Sequence, residues 1–354
     1  MDDFLIIGGG IAGLTAGAQL APHGTVTVLE AEDALGYHAS SRSAAIFIPT
    51  YGAPSVKALS LASARDLHDT GLTSPRGLMA VGRAGEETAL ADVAADLSLS
   101  AIPVADALTR VPILDPEAIT CAAHRDDAWD IDTDALLQLY AKMIRANGQI
   151  VTRAPVTAIR QDGGWQVEAG GSTYRSRKLV NAAGPWADVI AQIAGLAPIG
   201  ITPLRRSMAR IEVPGGADAR DWPMVIGAQE NWYAKPDAGA LIVSPSEEDP
   251  SDPMDAWADD MVLAEGLMHF EEHITGEVTR MLANWAGLRT FSPDRQLVIG
   301  ADPTAPDYYW MAGQGGYGFQ TAPAAGRLIA ALITGTTPDV PADTVTACDP
   351  ARFR

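Results

Sequence analysis

The 354-residue sequence predicts a mixed α/β fold containing two kinds of sheet. Three stretches each place an apolar, strand-like run directly ahead of a bend of small residues and a helical pattern. They are "FLIIGGGIAGLTAGAQL", "KLVNAAGPWADVIAQIAG" and "DYYWMAGQGGYGFQTAPAAGRLIAALITG". Between the second and third, "RRSMARIEVP", "MVIG", "WYAKPD" and "ALIVSPS" alternate like antiparallel strands and are separated by turn residues. The length suffices for two domains, and 47% hydrophobic with 19% charged residues is a globular composition.

The amino-terminal unit is the most specific. Phe4 to Ile7 suits a strand buried on both faces, and Gly8, Gly10 and Gly13 form G-x-G-x-x-G where the pattern turns helical. Gly8 permits the tight turn, Gly10 lets a pyrophosphate approach the backbone, and Gly13 lets the helix pack closely on the strand. The pyrophosphate then meets the unpaired N–H groups of a helix N-terminus. "TVTVLEAE" supplies the next strand and ends in Glu30, 22 residues after Gly8, where a carboxylate accepts the ribose hydroxyls of an adenosine. These features in register predict a dinucleotide site, which FAD and NAD share.

The second unit, Lys178 to Gly195, and the third, with its helix starting at about Gln320, are read as further segments of the same nucleotide domain. The third helix N-terminus suits a flavin pyrimidine or a substrate carboxylate. "SEEDPSDPMDAWADD" is read as an acidic surface loop leading into a helix.

The formal charge of -19 argues against nucleic acid and anionic bilayers as partners. The uncharged run near the amino terminus follows the acidic "MDDF" and is interrupted by glycines, unlike a secretory signal. No other run approaches the roughly 18 to 20 apolar residues of a bilayer span. A soluble, cytoplasmic protein is expected. Cys121 and Cys348 lack the spacing of a metal or redox pair, and the six histidines form no metal-binding motif.

"GGGIAG", "GYHASSRSAA", "YGAPSVKAL", "DIDTDAL", "LVNAAGPW", "RRS", "DWPM", "YAKPDAG", "WAGLRTF" and "GQGGYGFQT" together resemble the D-amino-acid oxidase and glycine oxidase superfamily of FAD enzymes, most closely its D-arginine dehydrogenase branch. The match runs over nearly the whole chain. It implies an FAD-binding, doubly wound Rossmann-like domain built from residues 1-50, 135-200 and 287-354. An antiparallel-sheet substrate domain, from 51-134 and 201-286, would sit over the flavin. The ADP half of FAD would lie at Gly8, Gly10, Gly13 and Glu30, with the loop carrying Ser40, Arg42, Ser43 and Ala44 near the pyrophosphate and flavin. Val156 would line the adenine, and Ala183, Gly184, Gly316, Tyr317 and Gly318 would pass close to the cofactor. Sarcosine-oxidase relatives tether the flavin to a cysteine near the arginine segment; Gly287 stands at about that place, so noncovalent FAD is expected.

In the resembling dehydrogenases, two arginines and two tyrosines grip the substrate carboxylate, and the matching positions are Arg206, Arg289, Tyr51 and Tyr233. The chemistry also asks for such a grip. Oxidation of an amino acid moves the α-hydrogen to flavin N5 as hydride, from about 3 to 3.5 Å and in alignment. The carboxylate is the handle every α-amino acid offers, and a guanidinium fork matches its two oxygens.

The carbonyls of Gly315 and Gly316 are candidates to receive the amine N–H groups. Two positions depart from the pattern. Ile46 stands where the relatives have a histidine near the amine, and Leu78 where a glutamate pairs with the guanidinium of D-arginine. Both suggest a substrate with an uncharged side chain, because an unpaired buried cation is expensive. The expected reaction is FAD-dependent oxidation of a D-amino acid to its imino acid, then the 2-oxo acid and ammonia. The electrons would pass to a quinone, an electron carrier or oxygen. Oxidation of a 2-hydroxy acid or an N-substituted glycine at the same anchor is the alternative.

Overall fold

A computed structural model describes residues 1–354. The first sheet has eight strands around a parallel core. In spatial order the core runs Gly148–Val151, Val26–Leu29, Asp2–Ile7, Ser172–Asn181 and Ala305–Ala312. Val298–Asp302 adds antiparallel to the last of these. Val156–Gln161 and Trp165–Ala169 form an antiparallel meander with the first half of Ser172–Asn181.

Alternation along the central strand explains its unbroken apolar run. Phe4 and Ile6 pack toward the helices Ile11–Leu20, Thr133–Arg145 and Gly318–Thr334. Leu5 and Ile7 pack toward the meander and the helix Ala187–Ile193. All three strand-to-helix units read in the sequence are present, the third helix starting at Gly318.

The second sheet has nine strands. Thr202–Ile211 pairs along its whole length with Met281–Phe291, and on its other side with Ala240–Ser244 and Asp249–Pro250. Tyr233–Asp237, Met224–Gly227, Leu78–Arg83, Ile119–Arg125 and Ser100–Ile102 follow in order. The four alternating segments are strands, but the sheet is not purely antiparallel: Met224–Gly227 runs parallel to Leu78–Arg83. These two strands lie far apart in the chain, so no hairpin dictates their relative direction.

A small sheet of Ile46–Phe47, Trp129–Ile131 and Thr73–Pro75 lies between the large ones in the chain's path. Asp130 on its middle strand pairs with Arg76 at 2.6 Å and with Lys235 of the second sheet at 2.7 Å.

Helix Pro54–Asp69, beyond residue 51 and so expected on the substrate side, packs on Gly318–Thr334: Gln320 Nε2 donates to Ser60 Oγ at 2.9 Å and the Ala324 N–H to Ser63 Oγ at 3.0 Å. Strand Met281–Phe291, expected to divide at residue 287, is continuous in the second sheet. No helix is long and apolar enough to cross a membrane.

Candidate active site

The site is a chain of three connected cavities. The first, about 380 Å³, opens at the carboxyl ends of Asp2–Ile7 and Val26–Leu29 and is lined by Gly8, Gly10, Glu30, Ser40, Val156, Ala183 and Gly184. Gly8 has φ +111°, and a β-carbon there would lie 2.3 Å from the Ala182 carbonyl oxygen. At Gly13 a β-carbon would lie 1.9 Å from the Gly8 carbonyl oxygen, so helix and turn meet this closely only because Gly13 lacks one. Ser40 Oγ accepts from the Ile11 N–H at 3.0 Å, tying its loop to the helix start. Glu30 is buried and accepts from the Gly9 N–H at 2.7 Å and the Glu32 N–H at 2.9 Å, one bond to each oxygen. Each oxygen keeps acceptor capacity for a further donor.

The second cavity, about 130 Å³, shares Gly10, Ser40 and Gly184 with the first. Arg42, Ser43, Ala44, Gly287, Arg289, Gly315, Gly316 and Gly318 line it. Arg42 is already committed: it pairs with Asp255 and donates to the Ala256 and Ala286 carbonyls at 2.8 and 2.9 Å. Gln314 is buried on the same cleft, and its Nε2 has no hydrogen-bond partner. The glycine cradle, the helix N-terminus, the buried carboxylate and the unpartnered amide all fit FAD laid along the two cavities.

The third cavity, about 410 Å³, joins the second at Ser43, Ala44, Arg206, Arg289 and Gly316. Tyr51, Arg206, Tyr233 and Arg289 all line it. The antiparallel register sets Arg206 opposite Gly287 and Arg289 opposite Leu204, which makes the two arginines diagonal neighbours on one face of the sheet. Gly316 closes the other side, where a β-carbon would lie 3.0 Å from the Arg289 guanidinium carbon.

Tyr233 Oη is buried without a partner, while the Tyr51 ring packs edge-on against Tyr317 with centroids 5.1 Å apart. Burial and the Arg289 charge lower the pKa of Arg206. Burial opposes the charge on Arg289 as well, but the phenols of Tyr51 and Tyr233 and the Glu248 carboxylate hold its pKa above the usual arginine value. Both guanidiniums stay charged at neutral pH.

Ile46 lines this cavity together with Ile48, Leu97, Met224 and Ile226. Leu78 does not reach it. That side chain is fully buried, in register with Met224 on the same face of the sheet and in a cluster with the cavity-lining Ile48 and Tyr233, so it packs behind the lining side chains and is not itself among them. Tyr317 likewise lines none of the three cavities; it is buried against Tyr51 and Phe291, and burial pushes its pKa up to about 12.

Five polar lining residues were missed in the sequence: Glu230, Ser246, Glu248, Arg295 and Gln320. Gln320 lay within a recognised motif and could have been found there. The segment read as an acidic surface loop in fact brings Glu248 into the cavity and largely buries Glu247, whose pKa rises by burial.

A family model described as DAO, FAD dependent oxidoreductase, matches residues 3–332. Among curated proteins, the chain is 24% identical over 208 residues to FAD-dependent oxidoreductase domain-containing protein 1 of Xenopus laevis, covering 54% of this chain and 41% of that protein. It is 25% identical over 264 residues to mitochondrial dimethylglycine dehydrogenase of Homo sapiens, covering 68% and 30%. The chain thus spans about half or less of the length of these relatives.

Among solved structures, L-alpha-glycerophosphate oxidase of Mycoplasma pneumoniae with FAD bound superposes with a TM-score of 0.85 at 20% identity, covering 94% of each chain. Glycine oxidase of Geobacillus kaustophilus superposes at 0.83 and 20% identity, covering 98% of each. At these identities the likeness is one of fold.

Proposed function

The chain belongs to the FAD dependent oxidoreductase family, and from that premise we propose that it oxidises a D-amino acid with an uncharged side chain to the imino acid, which water hydrolyses to the 2-oxo acid and ammonia. The observation that carries this reading is the convergence of Arg206, Arg289, Tyr51 and Tyr233 on one cavity open to the flavin cleft, with Tyr233 Oη still lacking a partner. Bound FAD supplies the two-electron acceptor.

The chain's own residues do the rest. The two guanidiniums take the substrate carboxylate as charged forks, and the tyrosine hydroxyls donate to its remaining lone pairs. Fixing the carboxylate fixes the α-carbon relative to the cleft, which turns the encounter into an oriented, effectively unimolecular step. The Gly315 and Gly316 carbonyls at the cleft accept from the amine. Ile46, Met224 and Ile226 offer an apolar side-chain an apolar wall. Ile46 offers no proton acceptor where the relatives have a histidine, and the amine proton leaves through water. A second reading, oxidation of an N-substituted glycine or a 2-hydroxy acid, is supported by the likeness to dimethylglycine dehydrogenase and by an anchor indifferent to the α-substituent.

Arg289→Ala tests the anchor. Truncating a buried, charge-assisted contact is worth about 2 to 5 kcal/mol, so kcat/KM should fall by about 30-fold to several thousand-fold for the best substrate. A loss within about threefold makes Arg289 a structural residue.

A further inference from the structure

Glu248 occupies an unusual position for a site that is to bind an anion. It lies in the short connection between Ala240–Ser244 and Asp249–Pro250, and three guanidiniums converge on it. Its Oε1 is 3.4 Å from Arg206 Nη2, 3.9 Å from Arg289 Nη1 and 3.1 Å from Arg295 Nη2; its Oε2 is 2.8 Å from Arg295 Nη2. Arg295 is held in place by its stacking over the Phe291 ring, 3.9 Å from the centroid. The charged groups lining the cavity are these three arginines against Glu230 and Glu248, which leaves one net positive charge.

We propose that Glu248 is a specificity-determining residue: a resident carboxylate that neutralises Arg295 through its two shortest contacts, touches Arg206 and Arg289 only at 3.4 and 3.9 Å so that a single substrate carboxylate can take them, and turns away substrates with a second one. The inference rests on the carboxylate-anchor reading given above. A second anionic group entering the cavity meets a like charge already holding the one guanidinium that could have paired with it. Without that charge, Arg295 becomes a free, positioned fork beside the first anchor.

Two charge-removing variants act in opposite directions. Glu248→Gln keeps the shape and removes the charge, so a dicarboxylate gains. Arg295→Gln releases Glu248 toward Arg206 and Arg289, where it competes with the substrate carboxylate, so a monocarboxylate loses.

The experiment titrates the FAD-loaded protein with propionate and with succinate at neutral pH, reading the flavin absorbance change, in the wild type, both variants and Arg289→Ala. The wild type should prefer propionate. In Glu248→Gln the Kd of succinate should fall about tenfold while that of propionate moves less than about threefold. In Arg295→Gln the Kd of propionate should rise about fivefold. If the wild type binds propionate, Arg289→Ala abolishes that binding, and Glu248→Gln leaves the succinate-to-propionate ratio unchanged, the role of Glu248 is overturned while the anchor stands. If Arg289→Ala binds both anions as the wild type does, the anchor itself falls and the role of Glu248 falls with it.

Discussion

Tyr233 carries a buried hydroxyl with no protein partner on the wall of the third cavity, where water or a ligand must satisfy it. Tyr233→Phe should therefore leave the stability of the substrate-free holoenzyme within about 1 kcal/mol of the wild type, while lowering kcat/KM by about 10- to 100-fold, the usual worth of a hydrogen bond to a charged group. Denaturant midpoints and steady-state rates measured together check this. A loss of stability with unchanged kcat/KM would assign the hydroxyl to the core.

At this scale the grouping of Tyr51, Arg206, Tyr233 and Arg289 around one cavity was legible in the sequence, because each sits inside a short motif next to a strand or turn. Leu78 shares a face with Met224, its cross-strand neighbour, but only Met224 lines the cavity, and how deep a side chain sits on one face is not written in the sequence. A carboxylate at position 78 would enter an apolar, fully buried cluster, where an unpaired charge is expensive. Glu248 and Arg295 come from irregular segments with no period to read, so only the folded chain brings them together.

Strands and helices hold the cavity from several directions. The paired strands Thr202–Ile211 and Met281–Phe291 carry the two anchor arginines on one rigid ladder. Gln320, in the first turn of Gly318–Thr334, donates to Ser60 Oγ and, at 3.4 Å, to the Tyr51 carbonyl, which links the helix to the anchor's fourth residue. Asp130 joins the small sheet bearing Ile46 to Lys235, which shares a strand and a face with Tyr233.

Because Lys235 is only 6% exposed, Asp130→Ala leaves an ammonium buried and unpaired. It should cost about 3 kcal/mol in denaturant unfolding, and a cost below about 1 kcal/mol would mean water replaces the carboxylate. The strand-turn-helix units were legible because their apolar runs and glycines are local signals. The parallel pairing of Met224–Gly227 with Leu78–Arg83 was not, since nothing local joins two strands so far apart in sequence.

Across the whole molecule, burial lowers the pKa of both His124 and His273. The unfolded chain binds those protons more readily, so their neutral state supports the fold fully above about pH 6.5 and less as pH falls below it. Asp302 adds a second loss: burial raises its pKa, but hydrogen bonds from Thr304, Trp310 and Arg354 prevail and lower it, so its contribution fades below about pH 4. Glu247 works in the opposite sense, since its raised pKa relieves a cost as pH falls. Thermal midpoints should be highest above about pH 6.5 and decline from there into acid. A flat profile between about pH 7 and 5.5 would show that the buried histidines exchange protons as freely as in the unfolded chain.

In the proposed reaction Arg206, Arg289, Tyr51 and Tyr233 present the carboxylate of a D-amino acid to the bound flavin. Anaerobic mixing of the FAD-loaded protein with matched D-amino, L-amino and 2-hydroxy acids, and with N-methylglycine, tests it most directly through loss of the oxidised flavin absorbance. The account predicts rapid bleaching by D-leucine or D-methionine, little by their L-enantiomers, and slow bleaching by every substrate in Arg289→Ala. Bleaching by a 2-hydroxy acid or N-methylglycine in preference to the D-amino acids, or equal rates in the wild type and Arg289→Ala, would contradict it.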